Sequence, residues 1–84
     1  MVFYRVYVIE NPQKRRYIGI SENVKRQLAD HNEGLSRWTK GRGPWNIQWK
    51  SIELSLTEAR KLENKMKKQK GGRGLSVLVS KYSS

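Results

Sequence analysis

Few residues in this chain can move a proton or hold a cation, and their spacing limits what each can do. The single histidine, His31, lies four residues beyond Gln27 and seven beyond Val24, so in a helix it shares one side with Val24, Gln27 and Leu28. An imidazole on such a side is a proton carrier, a metal ligand or a packed core residue. Glu63 lies at the edge of the apolar spacing Ala59, Leu62, Met66 in a Lys-rich stretch. A carboxylate there is costly unless it is paired or holds a metal ion; the plain alternative is a salt bridge along the helix to Arg60 or Lys67. Glu58 is a weaker candidate, because a helix cap explains it. Tyr7 and Tyr17 fall in two β-type segments and are candidate cross-strand neighbours, or else ordinary strand aromatics. Arg37, Trp38, Lys40 and Arg42 belong to a glycine-containing loop. Such a loop holds phosphates through its cations and backbone N–H groups and stacks Trp38 on a base, or is a solvated loop with its indole tucked into the core. Lys70-Gly71-Gly72-Arg73-Gly74 lacks the Gly-Lys-Ser/Thr ending of a phosphate loop and reads as a helix stop.

The elements that must position these groups follow from composition and period. Residues 2–10, VFYRVYVIE, are β-branched and aromatic and read as a strand. Its side chains alternate, with Tyr4, Val6 and Val8 on one face and Arg5, Tyr7 and Ile9 on the other. Asn11-Pro12-Gln13-Lys14 is turn chemistry, and residues 16–20 return as the second strand of a hairpin. Gly19 within that strand marks a bulge or a close backbone approach. Ser21 is the expected cap of a helix running to about Asn32, with Gly34 ending it. Residues 45–54, alternating through Trp45, Ile47 and Trp49, read as a third strand. Ser55 with Glu58 three residues on is a capping-box pattern opening a helix over 57–70. The run Leu75 to Val79 is expected to form a small closing element.

The order is β-β-α-β-α. A hairpin forces antiparallel pairing and excludes a doubly wound parallel sheet. The expected fold class is therefore α+β, a small three-stranded antiparallel sheet flanked by helices, in a single domain over residues 1–84. A chain of 84 residues buries only about 60% of its unfolded surface, so each large apolar side chain matters. No cysteine is present, which rules out disulfides and thiolate metal sites and suits a reducing cytoplasm. No apolar run approaches the ~20 residues of a membrane helix, and the N-terminal residues lack the layout of a signal peptide. The chain carries 18 Lys+Arg against 7 Asp+Glu, a formal net charge of +11. Such self-repulsion points to a polyanionic partner, most often nucleic acid. Charge alone does not separate an enzyme from a binding module or a basic ribosome-associated protein.

Taken together, these pieces resemble the GIY-YIG nuclease superfamily over roughly residues 3–75. Arg5-Val6-Tyr7 is similar to its first motif without the leading glycine, and Tyr17-Ile18-Gly19 matches the second. Residues 23–34 resemble the helix that follows. Trp38 through Trp45 is similar to the loop of small stand-alone members and of branched-DNA nuclease subunits, and Glu58 through Lys68 resembles the metal-site helix. The resemblance implies a metal-dependent endonuclease acting on DNA, with RNA left open and with branched or damaged DNA as the expected substrate. Tyr7 would take a proton from the attacking water, alone or through His31. Since a free phenol has a pKa near ~10, it would need nearby positive charge to do so at neutral pH. Tyr17 would position the phosphate. Glu63 would hold one Mg²⁺ or Mn²⁺, with water and substrate phosphate completing the shell. A partner protein would supply specificity.

One position departs from the family pattern. Gln27 stands where the family places an arginine four residues before the histidine. Arg26 is adjacent but points about 100° away around an ideal helix. Either Arg26 swings in, or another cation substitutes, or activity is impaired and the chain is a nucleic-acid-binding module on the same fold. No counterpart is evident for the asparagine that some members carry after the metal-site helix.

Overall fold

The strand alternation read from residues 2–10 has a specific outcome: Val6, Tyr7, Val8 and Ile9 are all buried, so both faces of this strand are covered. A strand buried on both faces belongs at the centre of a sheet. In the computed structural model, which describes residues 2–34, 39–69 and 73–83, though not the side chains of Arg73 and Leu75, β1 (Arg5–Glu10) is indeed the middle strand. β2 (Arg16–Ser21) and β3 (Asn46–Lys50) flank it in the order β2-β1-β3, both antiparallel to it. The expected α+β class and the three-stranded antiparallel sheet are what the structure shows.

The third strand is shorter than the expected 45–54 and not regular. Val8 pairs with Trp49 while Ile9 pairs with Ile47, so the register slips at Gln48. One extra residue turns every later side chain to the opposite face. Trp45 and Ile47 therefore pack with Tyr7 and Ile9, whereas Trp49 packs with Val6 and Val8. Beyond Lys50, among the described residues, only single bridges remain, Ser51 to Ser83 and Tyr4 to Leu54.

α1 (Val24–Asn32) covers the Tyr7 face through Val24, Leu28 and His31. Its cap is Asn23, whose side-chain oxygen accepts from the Arg26 N–H at 3.1 Å. Ser21, the expected cap, closes β2 instead, and its hydroxyl accepts from the Asn23 N–H at 2.9 Å. Gly34, at φ +79°, ends the helix and donates its N–H to the His31 carbonyl at 3.1 Å; the left-handed conformation suits a residue without Cβ. α2 (Leu56–Lys68) covers the other face, with Ala59, Leu62 and Met66 fully buried against Val6 and Val8. Its cap is the expected one, Ser55 Oγ accepting from the Glu58 N–H. The expected stop at Gly71 and Gly72 lies outside the described residues; the helix ends at Lys68.

The C-terminal run forms a full helix, α3 (Arg73–Tyr82), so the order is β-β-α-β-α-α. The sequence pattern stopped at a small closing element because Val77 and Val79 weaken helix propensity. Packing of Leu78, Val79 and Tyr82 on the α2 side of the core overrides that preference. The Tyr82 carbonyl then accepts from the Ile52 N–H at 2.8 Å. Among the described residues no helix is long and apolar enough to cross a membrane.

Candidate active site

β1 and β2 bring Tyr7 opposite Gly19 and Ile9 opposite Tyr17. The two tyrosines are thus diagonal rather than directly opposed, on the same face, with ring centroids 6.4 Å apart. Gly19 is a close approach and not a bulge, since the β1–β2 register runs without a break. A Cβ built there would lie 2.6 Å from the Tyr7 hydroxyl oxygen and 2.7 Å from Cζ. The absent side chain is what lets the Tyr7 phenol lie across β2.

The phenol ends on α1. Tyr7 Oη and His31 Nε2 are 2.9 Å apart, and His31 Nδ1 is 2.7 Å from Thr39 Oγ1. All three residues are buried. The Tyr17 ring completes the cluster, its centroid 4.8 Å from that of the imidazole. Burial holds the Tyr7 pKa above its ordinary value, and the neighbouring Tyr17, Glu63 and Asp30 push it the same way. Burial lowers that of His31, with Asp30 acting against it. Near neutral pH both groups are uncharged. A neutral imidazole has one donor and one acceptor. With the Tyr7 O–H donating to Nε2, the Nδ1–H donates to Thr39 Oγ1. Among the described residues no positive charge lowers the Tyr7 pKa as the resemblance required; the phenol is hydrogen-bonded to the imidazole instead.

Glu63 projects from α2, beside the buried Leu62. Its side chain is 19% exposed and pairs with Lys67 at 3.2 Å, the salt bridge that i,i+4 spacing allows. Its charge also reaches the Tyr7 phenol. Lys67 in turn lines a cavity of about 600 Å³ with Tyr17, Thr39 and Trp45 and with three arginines, Arg15, Arg16 and Arg42. That volume lies within the ~300–1,000 Å³ of ligand pockets. Among the described residues no group of three or more His, Asp or Glu side chains is placed to hold a metal ion.

The structure therefore gathers Tyr7, Tyr17 and His31, sets Glu63 within electrostatic reach of Tyr7, and places Arg42 at the adjoining cavity. It does not bring Arg26 there. Arg26 is exposed and lines a separate cavity with Tyr4, Gln27 and Asp30. Lys40 is exposed and absent from the Tyr17 cavity; Arg37 and Trp38 lie outside the described residues. Sequence reasoning missed Thr39, Arg15, Arg16 and Asn32, and named Lys67 only as a salt-bridge partner of Glu63. Thr39 carried no local signal, since its partner is eight residues away across a loop. Asn32 accepts from the Trp45 N–H at 2.6 Å and donates to the Trp45 carbonyl at 3.1 Å, pinning the start of β3 to the end of α1. Trp45 then donates its indole N–H to the Thr39 carbonyl at 3.1 Å, which holds Thr39 under the imidazole.

The hairpin of a small antiparallel sheet thus sets two tyrosines beside a helical histidine, with Glu63 on the helix that covers the opposite face. Residues 3–75 match the GIY-YIG catalytic domain, and the chain belongs to that family, whose nucleases act on DNA. It is similar to a UPF0213 protein of Nitratidesulfovibrio vulgaris, 28% identical over 89% of this chain and 69% of the relative. A UPF0213 protein of Halobacterium salinarum is 34% identical over 76% of this chain and 84% of its own. One from Clostridium perfringens is 27% identical over 90% and 83% respectively. No solved structure matches at a comparable level of significance.

Proposed function

We propose that this chain is a metal-dependent endonuclease that hydrolyses DNA phosphodiester bonds, on branched or damaged DNA, with a partner protein supplying specificity. The observation that carries the reading is the buried Tyr7–His31 hydrogen bond beside a cation-lined cavity. A phenol whose own pKa is raised is a poor base at neutral pH, but it need not act alone. As the attacking water loses a proton to Tyr7 Oη, the Tyr7 proton passes to His31 Nε2, and Thr39 holds the Nδ1–H end in place. The base is then the imidazole, acting through the phenol; such proton transfer contributes about 10²–10⁴-fold. Tyr17, at the cavity wall, positions the phosphate.

Glu63 is the residue that would hold Mg²⁺ or Mn²⁺, which would supply charge for the phosphate and the leaving oxygen. A single carboxylate suits Mg²⁺, which keeps waters and takes phosphate oxygens as further ligands. Lys67, the salt-bridge partner of Glu63, already lines the Tyr17 cavity. We assign to Lys67 the charge that Gln27 does not carry. A reading as a binding module without cutting is favoured by one observation, the placement of Arg26 and Gln27 at a different cavity.

The test is cleavage of labelled duplex, flap and four-way-junction DNA, with Mg²⁺ or Mn²⁺ and with chelator, by wild type and Glu63→Ala. Metal-dependent cutting lost in the variant supports the enzyme. Tight, salt-sensitive binding with no cutting by wild type supports the module.

A further inference from the structure

Four cations line the Tyr17 cavity, and they are not equivalent. Arg16 is paired with Glu10 at 2.9 Å and Lys67 with Glu63 at 3.2 Å. Among the described residues no carboxylate pairs with Arg15 or Arg42. Those two also line a second, smaller cavity, with Asn11, Gln13 and Gly41. Two uncompensated guanidinium groups therefore stand where the Tyr17 cavity adjoins a groove running toward the β1–β2 turn.

Their relative position is set by one buried side chain. Asn11 is 4% exposed. Its Oδ1 accepts from the Arg15 N–H at 2.8 Å, and its Nδ2 donates to the Arg42 carbonyl at 3.0 Å. Arg15 and Arg42 are on segments that the sequence separates widely, one in the hairpin turn and one in the loop before β3. A single amide ties both backbones together. The turn is further closed by the Asn11 N–H donating to the Arg15 carbonyl at 3.0 Å. Buried amides that satisfy both ends rigidify what they join.

We propose that Arg15 and Arg42 form a two-pronged fork that grips a backbone phosphate of the DNA strand next to the one in the Tyr17 cavity, with Asn11 as its positioning residue. Guanidinium forks match phosphate geometry, and a phosphate grip fixes register without reading sequence. The inference rests on the nuclease reading insofar as that reading threads the strand past Tyr17.

The experiment is fluorescence-anisotropy binding to a labelled DNA duplex across a salt series, in the Glu63→Ala background, followed by cleavage kinetics with Glu63 restored. The slope of log affinity against log salt is expected to fall by about 1 for Arg15→Ala, about 1 for Arg42→Ala and about 2 for both. Lys25→Ala and Lys61→Ala, exposed on the two helices, leave the slope as in wild type. Asn11→Ala keeps every charge; it is expected to lower affinity in protein that circular dichroism shows to be folded. In cleavage, the arginine variants raise KM more than they lower kcat. A double arginine variant with wild-type affinity and slope overturns the fork, even if the wild type cuts DNA. Loss of slope in the double variant with no cutting by the wild type supports the fork and refutes the nuclease. A wild type that does not bind DNA overturns both.

Discussion

Replacing Gly19 by alanine adds one methyl group to a strand residue whose φ is unremarkable, so backbone strain contributes nothing. The added carbon would stand 2.6 Å from Tyr7 Oη, 2.7 Å from Tyr7 Cζ and 3.0 Å from Tyr17 Cε1. Ordinary carbon contacts lie at ~3.5–4.0 Å, so the phenol must move by roughly 1 Å or the hairpin must splay. The phenol has little room: Tyr7 is 1% exposed and held by His31 at 2.9 Å. Overpacking of this kind costs about 1–3 kcal/mol, which for a domain of this size is a drop of roughly 5–20 °C in Tm. A displacement of that size at a reacting group costs about 10²-fold in rate. Thermal denaturation and cleavage under one buffer check both. In a double-mutant cycle the added cost of Gly19→Ala persists beside Tyr7→Phe, where Cζ remains in the way, and largely disappears beside Tyr7→Leu, a non-additivity that the cycle measures. A Gly19→Ala protein that melts and cuts like wild type would refute the close-approach argument and with it the placement of the Tyr7 hydroxyl.

Thr39→Val keeps the shape and removes the hydroxyl, orphaning a buried imidazole N–H. Chemical denaturation is expected to show a loss of about 1–3 kcal/mol, with a shifted pH profile of cleavage. Because the His31 pKa is lowered below 6.5 in the folded chain, the unfolded chain binds the proton first. Stability from this group is therefore present above 6.5 and lost as pH falls through that value toward the folded pKa, and the loss disappears in His31→Asn; denaturant midpoints across acidic pH check this. Tyr7 acts in the other direction, its contribution present below 10 and lost as pH rises from there. Lys67→Gln removes an i,i+4 pair whose lysine side chain is about half exposed, and the expected effect on stability is small. If Lys67 supplies charge to the phosphate, its rate falls by about 10²–10³, whereas an unchanged rate removes it from the mechanism.

Period and punctuation, both local properties, determined a good deal. The two-residue alternation through Val6, Tyr7, Val8 and Ile9, the 3.6-residue stripe of Ala59, Leu62 and Met66, and the Ser55 cap are all set by neighbours within a few positions, and each stands in the structure as the sequence implies. So does the helical face that buries His31 beside Val24. Tertiary structure decided what depends on residues far apart in the chain. The slip at Gln48 that sends Trp49 to the opposite face from Trp45 and Ile47 exists only in pairing with β1. The helix at residues 73–82 forms against its β-branched residues because the core accepts Leu78, Val79 and Tyr82. Gly19 is required by a phenol from the neighbouring strand, and Thr39 acquires its role from an imidazole reached across a loop. Arg15 and Arg42 line the same cavities because Asn11 joins the backbone of a turn to that of a loop. Hydrogen bonds and electrostatic fields act through space over a few ångströms, and which groups come within that range is settled only when the chain has packed.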